Sequence, residues 1–456
     1  RPGRPLLVEA ALMNGLSGQR VLVLGLGISG RSAAAFCASQ GAEVVAVDER
    51  PASQLEDLKE IPPRVTLRLG EPFPDAANFD LVVPSPGVPQ ERYRACARRA
   101  WGDVELAFRA LAVPVVAVTG TNGKSTTVCL LEGMLRAAGL RALAAGNLGV
   151  PALSLVGQPI DVAVLEVSSF QLETTDAFRP RVSVLLNLSE DHLDRHGSLE
   201  EYTSAKRRIF ARQEAEDIAV LNGDDPRVMA LRGEIRAEIQ SFRRCTPSEK
   251  GAWWDGDAIV LRAGGEDTRL TLEGVQLGGG HHRDNALAAL LAVSALGANP
   301  SKAARALASF KGLPHRGELV RRIGSVEWIN DSKATNPGAA LAAITSQRAP
   351  VIWIAGGRDK GLSFEALAET ARGRVRSALL IGEAARKIAG ALGDRVPFEL
   401  VESLEEAVRR AESLAKPGDV IVLAPACASF DQFAGFEDRG EQFMKLVHAL
   451  PERRER

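Results

Sequence analysis

The sequence has no excess of charge of either sign and no apolar run of membrane length. Its 456 residues carry a formal net charge of −1, which gives no indication of a nucleic acid or an anionic membrane surface as a partner. The longest apolar stretch, residues 286–298, is too short to cross a bilayer. Glu9 interrupts the short apolar run near the first residue, so we expect no signal peptide.

Cysteine is scarce, and its spacing suits neither a disulfide framework nor a metal site. The five cysteines are odd in number and scattered along the chain, at Cys37, Cys96, Cys129, Cys245 and Cys427. Such usage favours a reducing compartment, and we therefore expect the cytoplasm. Hydrophobic residues make up 45% of the chain and charged residues 25%, as in ordinary globular domains.

Apolar runs alternate with helical patterns in three successive stretches of the chain, and there are no short-period repeats. Repeated strand–helix units predict an α/β protein with parallel sheets covered by helices. Between about residues 241 and 280, alternation and turn glycines indicate a small antiparallel excursion. A chain of this length holds about three domains by the usual prior. We place them at residues 1–102, 103–312 and 313–456.

The first glycine-rich stretch is Gly25-Leu26-Gly27-Ile28-Ser29-Gly30, which follows an apolar run and opens a helical pattern. The next apolar run ends in Asp48. This context matches the dinucleotide-binding fingerprint, in which a diphosphate lies over a helix N-terminus. We therefore expect a Rossmann-like N-terminal domain. The nucleotide stays open, an NAD-dependent dehydrogenase included, and so does a glycine turn without a ligand.

The second stretch, VTGTNGKST at residues 118–126, has the context of a phosphate loop between a strand and a helix. A full P-loop has a glycine five residues before the Gly-Lys pair. Here that position is Val118, and the nearest upstream glycine is Gly120. In a phosphate loop, Lys124 would contact the terminal phosphates and Ser125 would bind magnesium. A turn with a solvated lysine remains the alternative.

Other polar residues follow apolar runs, at the strand ends where ligands bind in parallel sheets. Glu166 ends the run DVAVLE and suits either a magnesium site or a salt bridge. Segment 187–210 could form a zinc site, although the HExxH order is absent. The alternative is a magnesium or phosphate site. The candidate side chains of this segment are Glu190, Asp191, His192, Asp194 and His196. Taken alone, Lys206 fits a solvated helix face.

The last third of the chain has two more such clusters and the short motif LPHR at residues 313–316. The first cluster holds Asp331, Ser332, Lys333, Thr335 and Asn336, and the second holds Ser429, Asp431 and Phe436. Each could be turn chemistry by itself. Their joint occurrence at strand ends across three domains favours a binding function.

Taken in order, these motifs resemble the Mur ligases of peptidoglycan synthesis, and most closely the branch that adds D-glutamate. The motifs are SPG at 85–87, VTGTNGKST, LEVSSFQLE, NLSEDHLDRH, LPHR, NDSKATN, PACASFDQF and FEDRG. The resemblance covers essentially the whole chain. In this family the phosphate loop has the short form GxxGK[ST], so the missing glycine is expected. The implied architecture is a Rossmann-like domain, a central P-loop ATPase-like domain and a Rossmann-like C-terminal domain for the amino acid.

The resemblance also implies a reaction. ATP phosphorylates the carboxylate of UDP-N-acetylmuramoyl-L-alanine, the amine of D-glutamate attacks the acyl phosphate, and phosphate leaves. Two magnesium sites and lysine would offset the repulsion between the polyanions. The implied partners are these three substrates, with no nucleic acid and no membrane insertion, and we expect a monomer.

The resemblance assigns roles in five groups. ATP would be held by Gly120, Thr121, Asn122, Gly123, Lys124, Ser125, Thr126, Asn285, Arg316 and Asp331. The UDP-sugar would contact Ile28, Ser29, Asp48, Ser85, Gly87, Asn147, Ser168 and Gln171. D-Glutamate would meet Thr335, Lys360, Ser429 and Phe436. Magnesium would bind to Ser125 and Glu166 at one site, and to His192 and a carbamylated Lys206 at the other. The catalytic residues would be Lys124, His192, Lys206 and Lys333.

Two positions depart from the family pattern. The residue after the first-domain aspartate, a threonine facing uracil in well-known members, is Glu49 here. The asparagine expected beside adenine is His282. These departures leave the diphosphate site unaffected and bear on the uracil and adenine contacts.

Several other functions remain open at this stage. Another Mur ligase or a folylpolyglutamate synthase would share the phosphate loop, although the DNPR motif of the diaminopimelate-adding type is absent. A nucleotide-binding regulator without catalysis would not need Lys124, Glu166, His192 and Lys206 together. A dehydrogenase would leave the second and third domains without a role.

Overall fold

The computed structural model describes residues 15–263, 265–272 and 280–452, with the backbone alone at Ala263, Gly280 and His281. These residues form two compact units. The first holds residues 15–188, 203–272 and 286–308, and the second holds residues 189–202, 280–285 and 309–452. Two of the three sheets belong to the first unit and one to the second.

The first sheet has four parallel strands in the order β3-β2-β1-β4. Its elements and the two helices of this region are β1 (Arg20–Leu24), α1 (Ile28–Ser39), β2 (Glu43–Asp48), β3 (Thr66–Leu69), β4 (Leu81–Pro84) and α2 (Asp103–Ala110). Leu22 of β1 lies in register with Val45 on one side and Val82 on the other. The glycine-rich turn follows β1, Asp48 ends β2 and Ser85 follows β4, so all three lie at the same edge of the sheet.

The second sheet has nine strands in the order β13-β12-β11-β10-β9-β8-β5-β7-β6. Its elements, and the helices along this part of the chain, are β5 (Val115–Thr119), α3 (Lys124–Ala137), β6 (Ala142–Gly146), β7 (Val162–Glu166), α4 (Ser169–Leu172), β8 (Val182–Leu185), α5 (Leu193–His196), α6 (Leu199–Arg207), β9 (Ile218–Asn222), α7 (Pro226–Ala230), β10 (Glu238–Arg243), β11 (Gly251–Asp255), β12 (Ala258–Ala263), β13 (Glu266–Thr271), α8 (Gly280–Ala295), α9 (Pro300–Ala304) and α10 (Ala306–Ser309). Pairing is parallel from β6 to β11 and antiparallel between β11, β12 and β13. The antiparallel excursion is therefore present, and residues 273–279 of its predicted range lie outside the described residues.

The third sheet has six strands in the order β14-β15-β19-β16-β17-β18. The elements of this region are β14 (Glu318–Ile323), β15 (Val326–Asn330), α11 (Pro337–Thr345), β16 (Val351–Gly356), α12 (Glu365–Ala371), β17 (Val375–Ile381), α13 (Ala385–Leu392), β18 (Phe398–Leu400), α14 (Leu404–Leu414), β19 (Val420–Leu423) and α15 (Phe436–Ala449). Pairing is parallel except between β14 and β15. The chain is thus an α/β protein with parallel and mixed sheets.

Central strands of the sheets are buried on both faces, as near-continuous apolar runs predict. All residues of β5, β7 and β16 are buried. In β16, Val351 and Trp353 pack into the core on one face, while Ile352 and Ile354 pack into the core on the other. In each unit, a buried central strand thus carries a loop at its carboxyl end.

The helices of the described chain are moderate in length. The longest of them, α8, has 16 residues and contains most of the apolar stretch noted in the sequence. None of the described helices combines the length and the apolar character that a bilayer crossing needs.

Candidate functional site

A tight loop joins β5 to α3 at the carboxyl end of a central strand. Gly120 has φ 152°, and a Cβ there would come within 2.9 Å of the Cβ of Leu186. Gly123, with φ 86°, precedes α3 without a side-chain cap. Glycine adopts these backbone angles without strain. The loop thus has the conformation expected of an anion site at a helix N-terminus.

Asn187 holds this loop in place. Its carbonyl oxygen accepts from the Thr121 N–H at 3.0 Å. Its side-chain Oδ1 accepts from the Asn122 N–H at 2.8 Å, and its Nδ2 donates to the Asn122 carbonyl at 3.0 Å. Sequence reasoning missed this role. The available signal was that Asn187 follows β8, which pairs in parallel with β5 and so ends at the same edge.

Two lysines donate to one carbonyl of the loop. Lys124 Nζ lies 2.8 Å from the Gly120 oxygen and 2.9 Å from the Thr121 oxygen. Lys206 Nζ lies 2.9 Å from the Gly120 oxygen and 3.4 Å from Thr119 Oγ1. Lys206 is only 1% exposed, so the expectation of a solvated helix face, which the residue suggests when taken alone, is wrong. Its amine lies beside the phosphate loop.

Glu166 is a buried carboxylate at the end of β7, next to the loop. It pairs in register with Val118 of β5. Its Oε1 accepts from Asn147 Nδ2 at 2.8 Å. Its Oε2 is buried and has no hydrogen-bond partner among the described residues. An unpartnered buried carboxylate oxygen is costly unless a cation or donor binds it, so this position suits a magnesium ion. Within the described chain, no group of three or more His, Cys, Asp or Glu residues is arranged to hold a metal.

A cavity of about 540 Å³ opens beside the glycine-rich turn of the first sheet. Its lining includes seven of the eight residues predicted to contact the UDP-sugar, namely Ile28, Ser29, Asp48, Ser85, Gly87, Asn147 and Gln171. The eighth, Ser168, hydrogen-bonds to Gln171 through both its N–H and its hydroxyl. The structure therefore brings these residues together.

Close packing shapes the turn beneath this cavity. A Cβ at Gly30 would lie 1.8 Å from the Gly25 carbonyl oxygen. The Ser85 hydroxyl donates to the same oxygen at 2.7 Å. No side chain caps the N-terminus of α1. The cap position is therefore available to a ligand, as is typical of diphosphate binding.

At the far end of β2, Asp48 is tied to its surroundings. Its carboxylate accepts from the Leu26 N–H at 2.7 Å and from the Arg50 guanidinium at 2.9 and 3.0 Å. Burial raises the pKa of Asp48, but the hydrogen bonds from Arg50 and Leu26 outweigh it and lower the pKa to about 2. The carboxylate is therefore ionised at neutral pH.

Glu49, the departure from the family pattern, is held by Arg92. Two hydrogen bonds of 2.6 and 3.1 Å join their side chains. The Arg92 guanidinium also lies 4.8 Å from the ring centroid of Phe73. Glu49 and Phe73 both line the cavity. An ion pair stacked on an aromatic ring thus occupies the place of the expected threonine.

Asp103 is a second residue that sequence reasoning missed. It is 2% exposed and opens α2. Its Oδ2 accepts from Ser29 Oγ at 3.0 Å, and its carboxylate accepts from Gln171 Nε2 at 3.2 and 3.3 Å. Burial raises the pKa of Asp103. The one available signal was its place at a predicted domain boundary.

In the second unit, Asp191 connects residues from separate predicted motifs. Its Oδ1 lies 3.3 Å from Lys360 Nζ, and its Oδ2 accepts from Asn336 Nδ2 at 3.1 Å. His192 Nε2 lies 3.7 Å from Asp191 Oδ2. Asp191 is buried. The cation predicted to bind the amino acid therefore has an internal carboxylate partner.

Asp331 follows β15 and is half-buried. Burial raises its pKa to about 7, against the lowering effects of a hydrogen bond from the Gly317 backbone and of the Arg316 charge. Asn285, also predicted for ATP binding, is buried in the same unit. Burial lowers the pKa of His282, which stands where the family pattern has asparagine.

Arg439 joins the loops that follow β15 and β19. It is fully buried and donates to the Ser332 hydroxyl and carbonyl at 3.0 and 2.9 Å, and to the Cys427 carbonyl at 3.3 Å. Burial lowers its pKa to about 10. The Ser332 hydroxyl donates to the Phe436 carbonyl at 2.8 Å. Arg439 was not predicted, although it lies in the quoted motif FEDRG.

The residues predicted to bind D-glutamate, and the predicted catalytic residue Lys333, have different surroundings in the second unit. Lys333 Nζ lies 3.7 Å from the centroid of the Phe436 ring, a cation–π contact. Ser429 is buried, and Thr335 follows Lys333 in the loop after β15. The predicted residues thus divide between the units. Those for the UDP-sugar, the phosphate loop, Glu166 and Lys206 belong to the first, whereas His192, Asn285, Arg316, Asp331, Lys333, Thr335, Lys360, Ser429 and Phe436 belong to the second.

Three family models match the chain in succession. They are the Mur ligase MurD-like N-terminal domain at residues 19–102, the Mur ligase middle domain at residues 118–293, and the Mur ligase glutamate ligase domain at residues 315–427. Among curated relatives, the UDP-N-acetylmuramoylalanine–D-glutamate ligase of Geobacter metallireducens is 42% identical over 95% of this chain and 98% of its own. That of Anaeromyxobacter dehalogenans is 45% identical at the same coverages.

Solved structures share the fold at low identity. The MurF ligase of Thermotoga maritima, in complex with ADP, matches with a TM-score of 0.60 and 19% identity, covering 95% of each chain. MurF from Acinetobacter baumannii matches with a TM-score of 0.61 and 17% identity, covering 94% of this chain and 91% of its own.

Proposed function

Since the chain belongs to the Mur ligase family, we propose that it is an ATP-dependent ligase that joins D-glutamate to UDP-N-acetylmuramoyl-L-alanine. The observation that carries this proposal is similarity over nearly the full length. Identities of 42% and 45% extend over 95% of the chain to proteins that bear this activity in their names. The match of residues 315–427 to a glutamate ligase domain agrees with the amino acid.

The reaction has two chemical steps. The terminal phosphoryl group of ATP passes to the carboxylate of the L-alanine residue, which gives an acyl phosphate and ADP. The amine of D-glutamate then attacks the acyl carbon, and inorganic phosphate leaves from a tetrahedral intermediate. An amide bond forms, and a proton is lost from the amine.

The phosphate loop is suited to the first step. We assign the ATP phosphates to Gly120, Thr121, Asn122, Gly123, Lys124, Ser125 and Thr126. Lys124 exchanges its two loop carbonyls for phosphate oxygens, and the α3 N-terminus adds its dipole. The loop keeps its shape meanwhile because Asn187 holds it at Asn122. We assign the remaining ATP contacts to Asn285, Arg316 and Asp331.

Two residues of the first unit fit a magnesium ion. Glu166 offers a buried, unpartnered oxygen at a strand end, and Ser125 is a buried hydroxyl in the first turn of α3. Magnesium would supply charge neutralisation on the phosphate oxygens. For a second ion we propose His192 and Lys206, the latter as a carbamate, whose oxygens are the ligand type that magnesium prefers. We assign Lys333 to the reaction centre as a further cation.

The other two substrates take the remaining residues. The cavity beside the glycine-rich turn accepts the UDP-sugar through Ile28, Ser29, Asp48, Ser85, Gly87, Asn147, Ser168 and Gln171. D-Glutamate meets Thr335, Lys360, Ser429 and Phe436. Lys360 supplies a cation for a carboxylate, and Asp191 holds it until the substrate arrives.

The finer architecture is part of the same proposal. We propose domains at residues 1–102, 103–312 and 313–456, with Rossmann-like first and third domains and a P-loop ATPase-like central domain. The order β3-β2-β1-β4 and the loop between β5 and α3 support this. We further propose a monomer that acts in the cytoplasm, where ATP is available.

Phosphate release from ATP tests the proposal. We expect release only when UDP-N-acetylmuramoyl-L-alanine and D-glutamate are both present, with L-glutamate and meso-diaminopimelate much poorer. The matched control omits the UDP-linked acceptor. Equal rates with diaminopimelate and D-glutamate would show a different Mur ligase, and release without any acceptor would show an uncoupled ATPase.

A further inference from the structure

The carboxylate of Asp103 is buried without a cationic partner. It lies at the start of α2 and is 2% exposed. Among the described residues, no lysine, arginine or histidine pairs with it, and its hydrogen bonds come from Ser29, Gln171 and the N–H groups of its own first turn. Burial of a carboxylate away from water is unfavourable unless donors compensate. The best explanation for a carboxylate at this position is that it holds the side chains of Ser29 and Gln171 in place.

Both side-chain partners of Asp103 line the cavity beside the glycine-rich turn. Ser29 is the second residue of α1 and belongs to the first sheet's part of the fold. Gln171 is in α4, directly after β7 of the second sheet. One carboxylate therefore fixes two walls of the cavity that come from separate stretches of the chain.

The contact with Gln171 also fixes which way its amide points. Gln171 Oε1 accepts from the Ser168 N–H at 3.1 Å, while Nε2 donates to Asp103. The Ser168 N–H can only donate and so pairs with the amide oxygen, whereas a carboxylate can only accept and so pairs with the amide nitrogen. Asp103 likewise sets the direction of the Ser29 hydroxyl, which donates to Oδ2 at 3.0 Å.

We propose that Asp103 is a positioning residue for the UDP-linked substrate: it holds the Ser29 hydroxyl and the Gln171 amide in the orientations that bind this ligand. This inference rests on the proposed function. Asp103 does not itself line the cavity, so it acts through its two partners. Loss of the Asp103 carboxylate should weaken the binding of the UDP-linked substrate and leave the phosphate loop unchanged.

Asp103→Asn tests the inference because it keeps the size but replaces one acceptor oxygen by a donor. A hydrogen bond to a charged group is lost, so we expect the affinity for UDP-N-acetylmuramoyl-L-alanine to fall roughly 10- to 100-fold. Isothermal titration calorimetry with this ligand alone measures it. The KM values for ATP and D-glutamate should stay within about twofold of the parent. Asp103→Ser, with a side chain common at helix starts, gives the same test if the asparagine variant does not fold.

Glu105→Gln is the matched control. Glu105 is a buried carboxylate on the same helix, and it accepts from the N–H groups of Asp176, Ala177 and Phe178 instead of from cavity residues. We expect this variant to lower the midpoint of thermal unfolding without a selective loss of UDP-ligand affinity. A merely structural role for Asp103 predicts the same behaviour for both variants.

A double-mutant cycle tests whether Asp103 acts on the ligand through Ser29. If Asp103 acts through Ser29, the affinity loss from Asp103→Asn becomes smaller in a Ser29→Ala background. Parent protein that fails to bind UDP-N-acetylmuramoyl-L-alanine overturns the proposed function. Parent protein that binds it, with Asp103→Asn binding within about twofold, overturns only the positioning role.

Discussion

Replacement of Lys206 by arginine should abolish turnover, because arginine keeps the positive charge and cannot carry a carbamate. The amines of Lys206 and Lys124 lie 2.9 Å and 2.8 Å from the same Gly120 oxygen. The nitrogens are therefore at most about 5.7 Å apart, and two positive charges at that distance repel by about 3 kcal/mol at an effective dielectric constant of about 20. Carbamylation replaces that repulsion by an attraction. A permanent cation at position 206 should thus cost at least about 100-fold in kcat.

The assay is D-glutamate-dependent phosphate release, with protein folding checked by circular dichroism. Lys206→Ala should lose most turnover while the protein stays folded, and added bicarbonate or a short carboxylate should restore part of it by placing an anion in the vacated space. Arg207→Ala is the matched control, since Arg207 is the next residue and pairs with Glu234 at the surface. Turnover of Lys206→Arg at the parent rate would refute the carbamate.

Two further predictions concern pH and packing. Because the folded-state pKa of Asp331 is raised to about 7, the native state retains this proton more strongly than the unfolded chain does. The parent should therefore lose stability as pH rises from about 4 to about 7, and urea titrations of Asp331→Asn should show a smaller loss over that interval; an unchanged loss would contradict the raised pKa of this carboxyl. A Cβ at Gly30 would lie 1.8 Å from the Gly25 carbonyl oxygen. Gly30→Ala should therefore lower the midpoint of thermal unfolding and weaken the binding of the UDP-linked substrate. Gly27→Ala, with no atom within 4 Å of its Cβ, should keep the midpoint, and equal midpoints for the two variants would show that Gly30 is not tightly packed.

The sequence predicted the strands whose apolar runs are continuous, and it missed several others. The runs SVEWIN, VIWIAGG, SALLIG, PFELV and DVIVLAPA predicted β15, β16, β17, β18 and β19, because strands of parallel sheets are often largely apolar. The last-but-one of these runs shows that an edge strand, β18, can also be predicted. The strand β14 was not predicted in this way, since ELVRRI carries three charges and lies at a sheet edge. β3 is likewise an edge strand, with four residues that are mostly exposed. An edge strand has one paired side, and its composition differs little from that of a loop.

Site residues divide in a similar way. Residues in recognisable motifs at strand ends were predicted, because the chemistry of glycine loops and strand-end carboxylates is visible in the sequence. Asn187, Asp103 and Arg439 were missed because each acts by holding other residues. Their partners lie 65, 68 and 107 positions away along the chain. Only the folded chain brings such pairs together.

The hydrogen bonds of Lys124 within the loop bear on how well the product phosphate competes with ATP. The amine already has two carbonyl partners within the loop, at 2.8 and 2.9 Å. An incoming anion must replace both, which a single phosphate ion does less well than a triphosphate that is also held by the helix N-terminus and a cation. We infer that free phosphate, released in every cycle, is a weak competitor for the loop. The loop can then be reloaded with ATP while phosphate accumulates around the protein.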